Sequence, residues 1–103
     1  MPINFVRSSI EINPSSQTNP MAYAKRGGCK LLLKDLQGAI RDCTQSIKIA
    51  NGDIEIEKEA YFTRGLSKIS LGETSEACVD LKLAEICGSG SASDAIKEFC
   101  TNI

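Results

Sequence analysis

The sequence predicts an all-α protein, and two observations carry this prediction. Apolar residues recur at steps of three and four along several segments, which is the spacing of one face of an α-helix. In addition, one block of sequence occurs twice with an offset of 38 residues, and repeats of that length are typical of arrays of helical hairpins. The chain has 103 residues, of which 42% are apolar, so it is long enough for one domain with a modest core.

The repeat is clearest around two glycines. Both copies carry a tyrosine, an arginine, a glycine, an alanine and an aspartate at matching positions: Tyr23, Arg26, Gly27, Ala39 and Asp42, then Tyr61, Arg64, Gly65, Ala77 and Asp80. We expect the glycine and the alanine to lie where the two helices of each hairpin touch, because a larger side chain there would force the helices apart. The offset exceeds the common 34 residues by about one helical turn, which predicts an inserted turn near residues 52–57.

Capping and stop signals give the expected helix boundaries. Asn19 before Pro20 suits the start of a first helix that ends near residue 33, and a second helix should run over 36–50 to the stop at Asn51-Gly52. A third is expected over 54–71, because the alternating Ile-Glu-Ile-Glu at its start has no second strand to pair with. A fourth should start at Thr74 or Ser75 and stop at Gly88. The hairpins therefore span 20–52 and 54–88.

A last helix is expected over 92–103, with Ser93 as its cap. It would place one apolar face over the array: Ile96, Phe99, Cys100 and Ile103.

These motifs resemble the tetratricopeptide repeat family. The first copy reads Tyr23-x2-Arg26-Gly27-x2-Lys30 and then Ala39-x3-Cys43, and the second copy has the same glycine and alanine marks. The resemblance implies a right-handed superhelical stack of antiparallel helical hairpins that forms a single domain over 1–103. It also implies that Cys43 occupies a core position.

Residues 1–14 resemble the back half of a further repeat. Ser9-Ile10-Glu11-Ile12-Asn13-Pro14 is similar to the end of a second helix in this family, and the partner helix of this half-repeat is absent. Either the chain is cut from a longer array or the half-repeat is an amino-terminal cap.

The resemblance implies a protein-binding function, because the first helix of each repeat lines a concave face in this family. The lining would comprise Met21, Ala24, Gly28, Leu31 and Leu32 in one copy, and Glu59, Phe62, Leu66, Ile69 and Ser70 in the other. This mostly apolar surface suits an amphipathic helix or an extended apolar peptide. The alternative for each of these residues is packing inside the array. Family members that bind a charged carboxyl-terminal tail use lysine and asparagine here, so such binding is not expected.

A second hypothesis is structural self-association. A half-repeat would leave Phe5, Val6 and Ile10 uncovered, and apolar patches of this kind seek partners. The open edge of one copy could then pack against the same edge of another, giving a homodimer.

Other functions have little support in the sequence. The net charge is −1, the stripe Arg26, Lys30 and Lys34 is typical of a solvated helix face, and neither feature predicts nucleic-acid binding. The longest run of leucine, isoleucine and valine is residues 31–33, much shorter than a membrane span. No histidine is present to activate a cysteine or to join one in a zinc site, so we expect no catalysis, no metal and no cofactor.

The five cysteines leave the compartment open. An odd number favours reduced thiols in a cytosol, whereas export would allow a bridge between Cys78 and Cys100, on the last hairpin and the capping helix over it.

Overall fold

The computed structural model describes residues 19–101, which form five α-helices joined by short turns. The helices are α1 (Pro20–Leu32), α2 (Leu36–Ala50), α3 (Ile54–Leu71), α4 (Thr74–Ile86) and α5 (Gly90–Phe99). No residue in the described range lies in a β-strand, so the all-α prediction is confirmed for this part of the chain. The predicted half-repeat over 1–14, with Phe5, Val6 and Ile10, lies outside the described residues, and so does Ile103.

The predicted boundaries of the first three helices agree with the structure. The side chain of Asn19 accepts hydrogen bonds from the backbone N–H groups of Met21 and Ala22, which have no acceptor within the helix. At the end of α2, Asn51 and Gly52 have φ angles of 55° and 85°, and this left-handed turn ends the helix. Chain direction therefore changes where the sequence carries residues that tolerate positive φ.

Helix α3 contains 18 residues, against 13 in α1. Most of the extra residues lie at its start, where the sequence predicts an inserted turn. Asp53 caps this start and accepts hydrogen bonds from the N–H groups of Glu55 and Ile56. The alternating Ile-Glu-Ile-Glu segment is therefore helical, as expected.

The prediction that Ser93 caps the last helix is wrong. Gly88 leaves α4 with a φ of 105°, and Ser89 is the next residue with an extended backbone. The Ser89 hydroxyl accepts a hydrogen bond from the N–H of Ala92, so α5 begins at Gly90. Ser93 lies one turn inside the helix and donates its hydroxyl to Glu85 Oε2 at 2.7 Å.

The helices pack as two antiparallel hairpins. Ser46 near the end of α2 donates a hydrogen bond to the carbonyl of Pro20 at the start of α1, which fixes the antiparallel direction of this pair. Helix α2 also packs on α3, α3 pairs with α4, α4 packs on α5, and α1 touches α3. Each hairpin is thus in contact with the next element along the chain.

Two small clusters form the core. One contains Ala24, Cys43 and Ala60, and the other contains Leu81, Ala84, Ala92 and Ala95. Small side chains predominate in both clusters because they let neighbouring helix backbones come close together. None of the helices in the described range is long and apolar enough to cross a membrane.

Candidate functional site

In each hairpin, a glycine of the first helix lies against the second helix. A Cβ atom added to Gly27 would lie 2.7 Å from Cys43 Sγ and 3.2 Å from the carbonyl oxygen of Ala39. A Cβ added to Gly65 would lie 2.9 Å from Leu81 Cγ and 3.2 Å from the carbonyl oxygen of Ala77. These distances are shorter than ordinary packing contacts, so the helices approach closely where the sequence places its repeated glycine and alanine.

A buried ion cluster lies beside the glycine in the first hairpin. Asp42 on α2 is only 5% exposed, and its carboxylate accepts hydrogen bonds from Arg26 Nε at 2.7 Å and Arg26 Nη2 at 2.9 Å. Lys30 Nζ lies 3.1 Å from Asp42 Oδ2. The guanidinium of Arg26 also lies 5.8 Å from the centre of the Tyr23 ring, within range of a cation–π contact.

The second hairpin contains the same cluster. Asp80 is 2% exposed and accepts from Arg64 Nε at 2.8 Å and Arg64 Nη2 at 2.9 Å, with Lys68 Nζ at 3.2 Å. Arg64 lies 5.4 Å from the centre of the Tyr61 ring. Two sequence segments 38 residues apart therefore build one and the same arrangement.

This arrangement corrects one expectation from the sequence. Arg26 and Lys30 were expected on a solvated face, but both face a buried carboxylate between α1 and α2. The signal was present in the sequence, because the arginine, the lysine and the aspartate all recur with the same offset. Solvation alone does not require residues to recur in this way, whereas a shared contact does.

The ion clusters change the acid–base properties of their members. Burial alone would raise the pKa of the Asp42 carboxyl, but the hydrogen bonds and charges of Arg26 and Lys30 outweigh burial and lower this pKa below its ordinary value. The hydrogen bond to Asp80 raises the pKa of Arg64, although burial opposes the shift. Asp42 is therefore a carboxylate, and Arg64 a cation, throughout the physiological pH range.

Two polar contacts join the hairpins to each other. Lys25 Nζ on α1 lies 3.2 Å from Glu59 Oε1 on α3, and Arg64 Nη1 donates to Thr44 Oγ1 at 3.1 Å. Arg64 thus binds Asp80 within its own hairpin and Thr44 in the preceding one. The first contact joins α1 to α3, and the second joins α2 to α3.

Most of the predicted lining residues keep part of their surface accessible. The half-buried ones are Met21, Gly28, Leu31, Glu59, Phe62, Leu66 and Ile69, while Leu32 and Ser70 are exposed. They lie on α1 and α3, the two helices that touch each other. The structure thus places partly accessible apolar side chains on two adjacent helices.

Ala24 does not belong to this surface. It is fully buried and packs with Cys43 and Ala60 where α1, α2 and α3 meet. A methyl group without exposed area has nothing to offer a partner, so Ala24 is a core residue rather than a lining residue.

The apolar side chains of α3 are partly covered within the chain. Phe62, Leu66 and Ile69 pack against the cluster that includes Leu81 of α4 and Ala95 of α5. For these three positions the structure combines packing inside the array with partial exposure.

The cysteines fall into two groups. Cys78 and Cys100 form a disulfide with an S–S distance of 2.07 Å, which is the pairing that the sequence allowed for an exported chain. Cys29, Cys43 and Cys87 are free thiols. Burial, followed by the charge of Asp42, raises the pKa of Cys43 to about 12, so that this thiol stays protonated at neutral pH and is a poor nucleophile.

A second apolar surface, on α4, was not predicted. Val79, Leu83 and Ile86 follow each other at steps of four and three and expose 59%, 36% and 80% of their surfaces. We refer to these three residues as the α4 stripe. The equivalent residues of α2 are Arg41, Gln45 and Lys48. A comparison of the outer faces of the two copies would have revealed this stripe in the sequence.

The fold and the site define a class: an all-α protein in which two helical hairpins share one internal packing scheme. Within the described range, no three acidic or cysteine side chains come together as a group that could hold a metal ion. No protein-family model matches the chain, and no solved structure matches it. A FAM10 family protein of Arabidopsis thaliana is 34% identical to this chain over 82 residues. That match covers 80% of this chain and 17% of the length of the relative.

Proposed function

We propose that the chain is a tetratricopeptide-like module that binds a partner polypeptide and does not act as an enzyme. The partner would lie along the face formed by α1 and α3 as an amphipathic helix or an extended apolar segment. In this proposal the hairpins stack in a right-handed superhelix with α1 and α3 on its inner side.

The observation that carries the proposal is the duplicated packing of glycine and ion cluster. Gly27 and Gly65 allow the same close approach in the two hairpins, and Asp42 and Asp80 each bind an arginine and a lysine at matching positions. Equal internal geometry makes the two hairpins similar units, so in this proposal their first helices present corresponding faces side by side. A regular face of this kind suits a continuous polypeptide segment better than a small molecule.

The chemistry of the face supports an apolar partner. Met21, Leu31, Phe62, Leu66 and Ile69 all remain partly accessible on α1 and α3. Lys30 and Lys68, which stand next to Leu31 and Ile69 in the sequence, bind buried aspartates, so they are poorly placed to hold a carboxylate of a partner. Two hairpins offer a small area, and interfaces below about 1,000 Å² are usually transient.

The binding face can be blocked without disturbing the core. A Cβ atom on Gly28 meets no other atom within 4 Å, so Gly28→Glu should be accommodated and should raise helix propensity by about 0.5–1 kcal/mol. The new side chain would place a charge on the apolar face. Gly90→Glu is the matched control, because Gly90 is equally unobstructed but lies at the start of α5.

The experiment selects peptides from a display library on the full chain and measures the affinity of the selected peptides by fluorescence anisotropy. We expect Gly28→Glu, and Phe62→Ala combined with Leu66→Ala, to weaken binding at least about tenfold, whereas Gly90→Glu leaves binding unchanged. Thermal unfolding of each variant separates lost binding from lost folding. Peptides that bind all of these variants equally well would move the site away from α1 and α3.

A selection that yields no binding peptide would point to a different function. If no peptide binds and the chain forms dimers at rising concentration in sedimentation experiments, structural self-association replaces the proposal.

A further inference from the structure

Helix α5 covers part of the face that α3 presents. It packs mainly on α4 and also touches α3. Ala92 and Ala95 of α5 are buried in the same cluster as Leu81 and Ala84 of α4. Phe62, Leu66 and Ile69 pack against this cluster, so part of the cover over the apolar side chains of α3 comes from α5.

The non-covalent contacts of α5 hold it only weakly against α4. It contains ten residues, and isolated helices of that length are marginal in water. Its two fully packed residues are alanines, which remove little apolar area from water. Ile96 and Cys100 also pack against the cluster but are only half-buried, and Phe99 remains 38% exposed. Packing alone therefore gives α5 little preference for the docked position.

A covalent bond adds to this weak packing. The disulfide joins Cys78 on α4 to Cys100, the residue that directly follows α5, across a sequence separation of 22. Cys78 is buried, and Cys100 is half-buried and packs against the cluster that α4 and α5 share. Because the bridge closes the loop that contains α5, a detached α5 cannot move far from α4 while the bridge is intact.

We propose that the Cys78–Cys100 disulfide is a redox latch, and that its reduction releases α5 and opens a docking site for a partner helix. A dithiol reductant transfers two electrons and two protons to the bridge. The S–S bond breaks, Cys78 and Cys100 become thiols, and the dithiol becomes a disulfide. The released helix uncovers Leu81 and Ala84 on α4 together with the adjoining side chains of α3.

The residues with which α5 covers this site indicate the chemistry of the partner. Helix α5 meets this site with Ala92 and Ala95, three residues apart, and with Ile96 and Cys100 beside them. The site therefore suits an amphipathic helix that presents two small residues one turn apart, flanked by an aliphatic one. This second half of the inference rests on the proposed function, because the uncovered site adjoins Phe62, Leu66 and Ile69.

The first test is amide hydrogen exchange of the full chain, with the bridge intact and after treatment with a dithiol. We expect reduction to lower the protection of α5 amides by about a hundredfold, and to leave α1–α3 little changed. Cys78→Ser combined with Cys100→Ser should show the low protection with or without the dithiol. Cys29→Ser combined with Cys87→Ser is the matched control, because it removes two thiols and keeps the latch.

The second test measures docking with a defined probe, a fluorescent peptide that copies residues 88–101 with Cys100→Ser. The receptor is the full chain with Cys78→Ser, Cys100→Ser and Ala95→Glu, in which the charge at a buried position keeps α5 from docking. We expect this receptor to bind the probe at least about tenfold more tightly than the oxidised chain does, because its own α5 no longer competes.

Two results would overturn the inference. One is that the α5 amides are equally protected in the oxidised and the reduced protein. The other is that the probe binds the triple variant and the oxidised chain with equal affinity. Failure of the proposed function has a different signature, namely selected peptides that are insensitive to Gly28→Glu. Hydrogen exchange of α5 does not depend on that result.

Discussion

The two hairpins have the same contacts between their helices but different residues on their outer faces. Asp42 and Asp80 each bind the arginine and the lysine at matching positions of their own hairpin. A Cβ atom added to either repeated glycine would lie 3.2 Å from the carbonyl oxygen of the matching alanine. On the outside, the positions that carry Arg41, Gln45 and Lys48 in α2 carry the apolar α4 stripe in the second hairpin. The repeat thus reproduces the contacts that hold a hairpin together and leaves the solvent-facing positions free to differ.

The cores beneath the two glycines also differ. Gly27 lies over Cys43, and Gly65 lies over Leu81, a larger side chain that is fully buried. The second hairpin therefore fills the same gap with more apolar volume. Its core belongs to the cluster shared with α5, whereas the core of the first hairpin is shared with α3.

The largest expected loss of stability comes from truncating a core side chain, and it should differ between the two hairpins. Leu81→Ala leaves a cavity at a fully buried position and should lower the free energy of unfolding by about 3 kcal/mol. Cys43→Ala removes one sulfur atom and should cost about 1 kcal/mol. Urea denaturation of both variants measures the difference. Equal losses would mean that the two hairpins do not differ in how much their cores contribute.

The ion clusters should give nearly equal effects in both hairpins. Asp42→Asn leaves Arg26 and Lys30 without their carboxylate, and Asp80→Asn does the same to Arg64 and Lys68. Because these cations are partly exposed, we expect about 2 kcal/mol for each variant, less than for a fully buried pair. Glu55→Gln, at an exposed pair with Lys58, is the control and should change stability by less than about 0.5 kcal/mol.

Acid should reproduce part of the effect of Asp42→Asn. The pKa of Asp42 is lower in the folded protein than its ordinary value of 3.8, so its stabilising contribution is complete above that pH and is lost as the pH falls through the folded pKa. The wild-type protein should thus lose stability below pH of about 4 more steeply than Asp42→Asn does. Parallel acid profiles of the two proteins would contradict this account.

The smallest effect concerns the α4 stripe. Val79→Arg, Leu83→Gln and Ile86→Lys together copy the outer face of α2 onto α4, and each substitution should change the free energy of unfolding by less than about 0.5 kcal/mol. Thermal unfolding measures the stability of the triple variant. A much larger loss would show that the stripe is covered in the folded protein and that the two outer faces are not equivalent.

The local signals in the sequence predicted most of the fold. Asn19 with Pro20, and Asn51 with Gly52, act within a few residues of their own positions, so the ends of α1 and α2 could be placed without knowledge of packing. The start of α5 could not, since serines stand at positions 89, 91 and 93 and Ser93 was the predicted cap. The backbone at Gly88 decided between them in favour of Ser89.

The site was less predictable because it depends on contacts between helices. Arg26 and Lys30 are charged residues of the kind found on solvated helix faces. Their orientation toward α2 follows from Asp42, which lies on that neighbouring helix and binds both. Ala24 was expected on the lining for a similar reason. Its exposure depends on how α2 and α3 meet over it, which the spacing within α1 does not report.

The sequence by itself determined the helical class, the two equivalent hairpins and the glycine contacts, because periodicity, capping and repetition act over short distances or leave a visible copy. Tertiary structure decided which charged residues are buried, which apolar residues remain accessible, and that α5 lies against α4 with Cys78 and Cys100 joined. Those outcomes depend on how separate helices approach each other in space, and the pattern within one helix is the same whether or not a neighbour covers it.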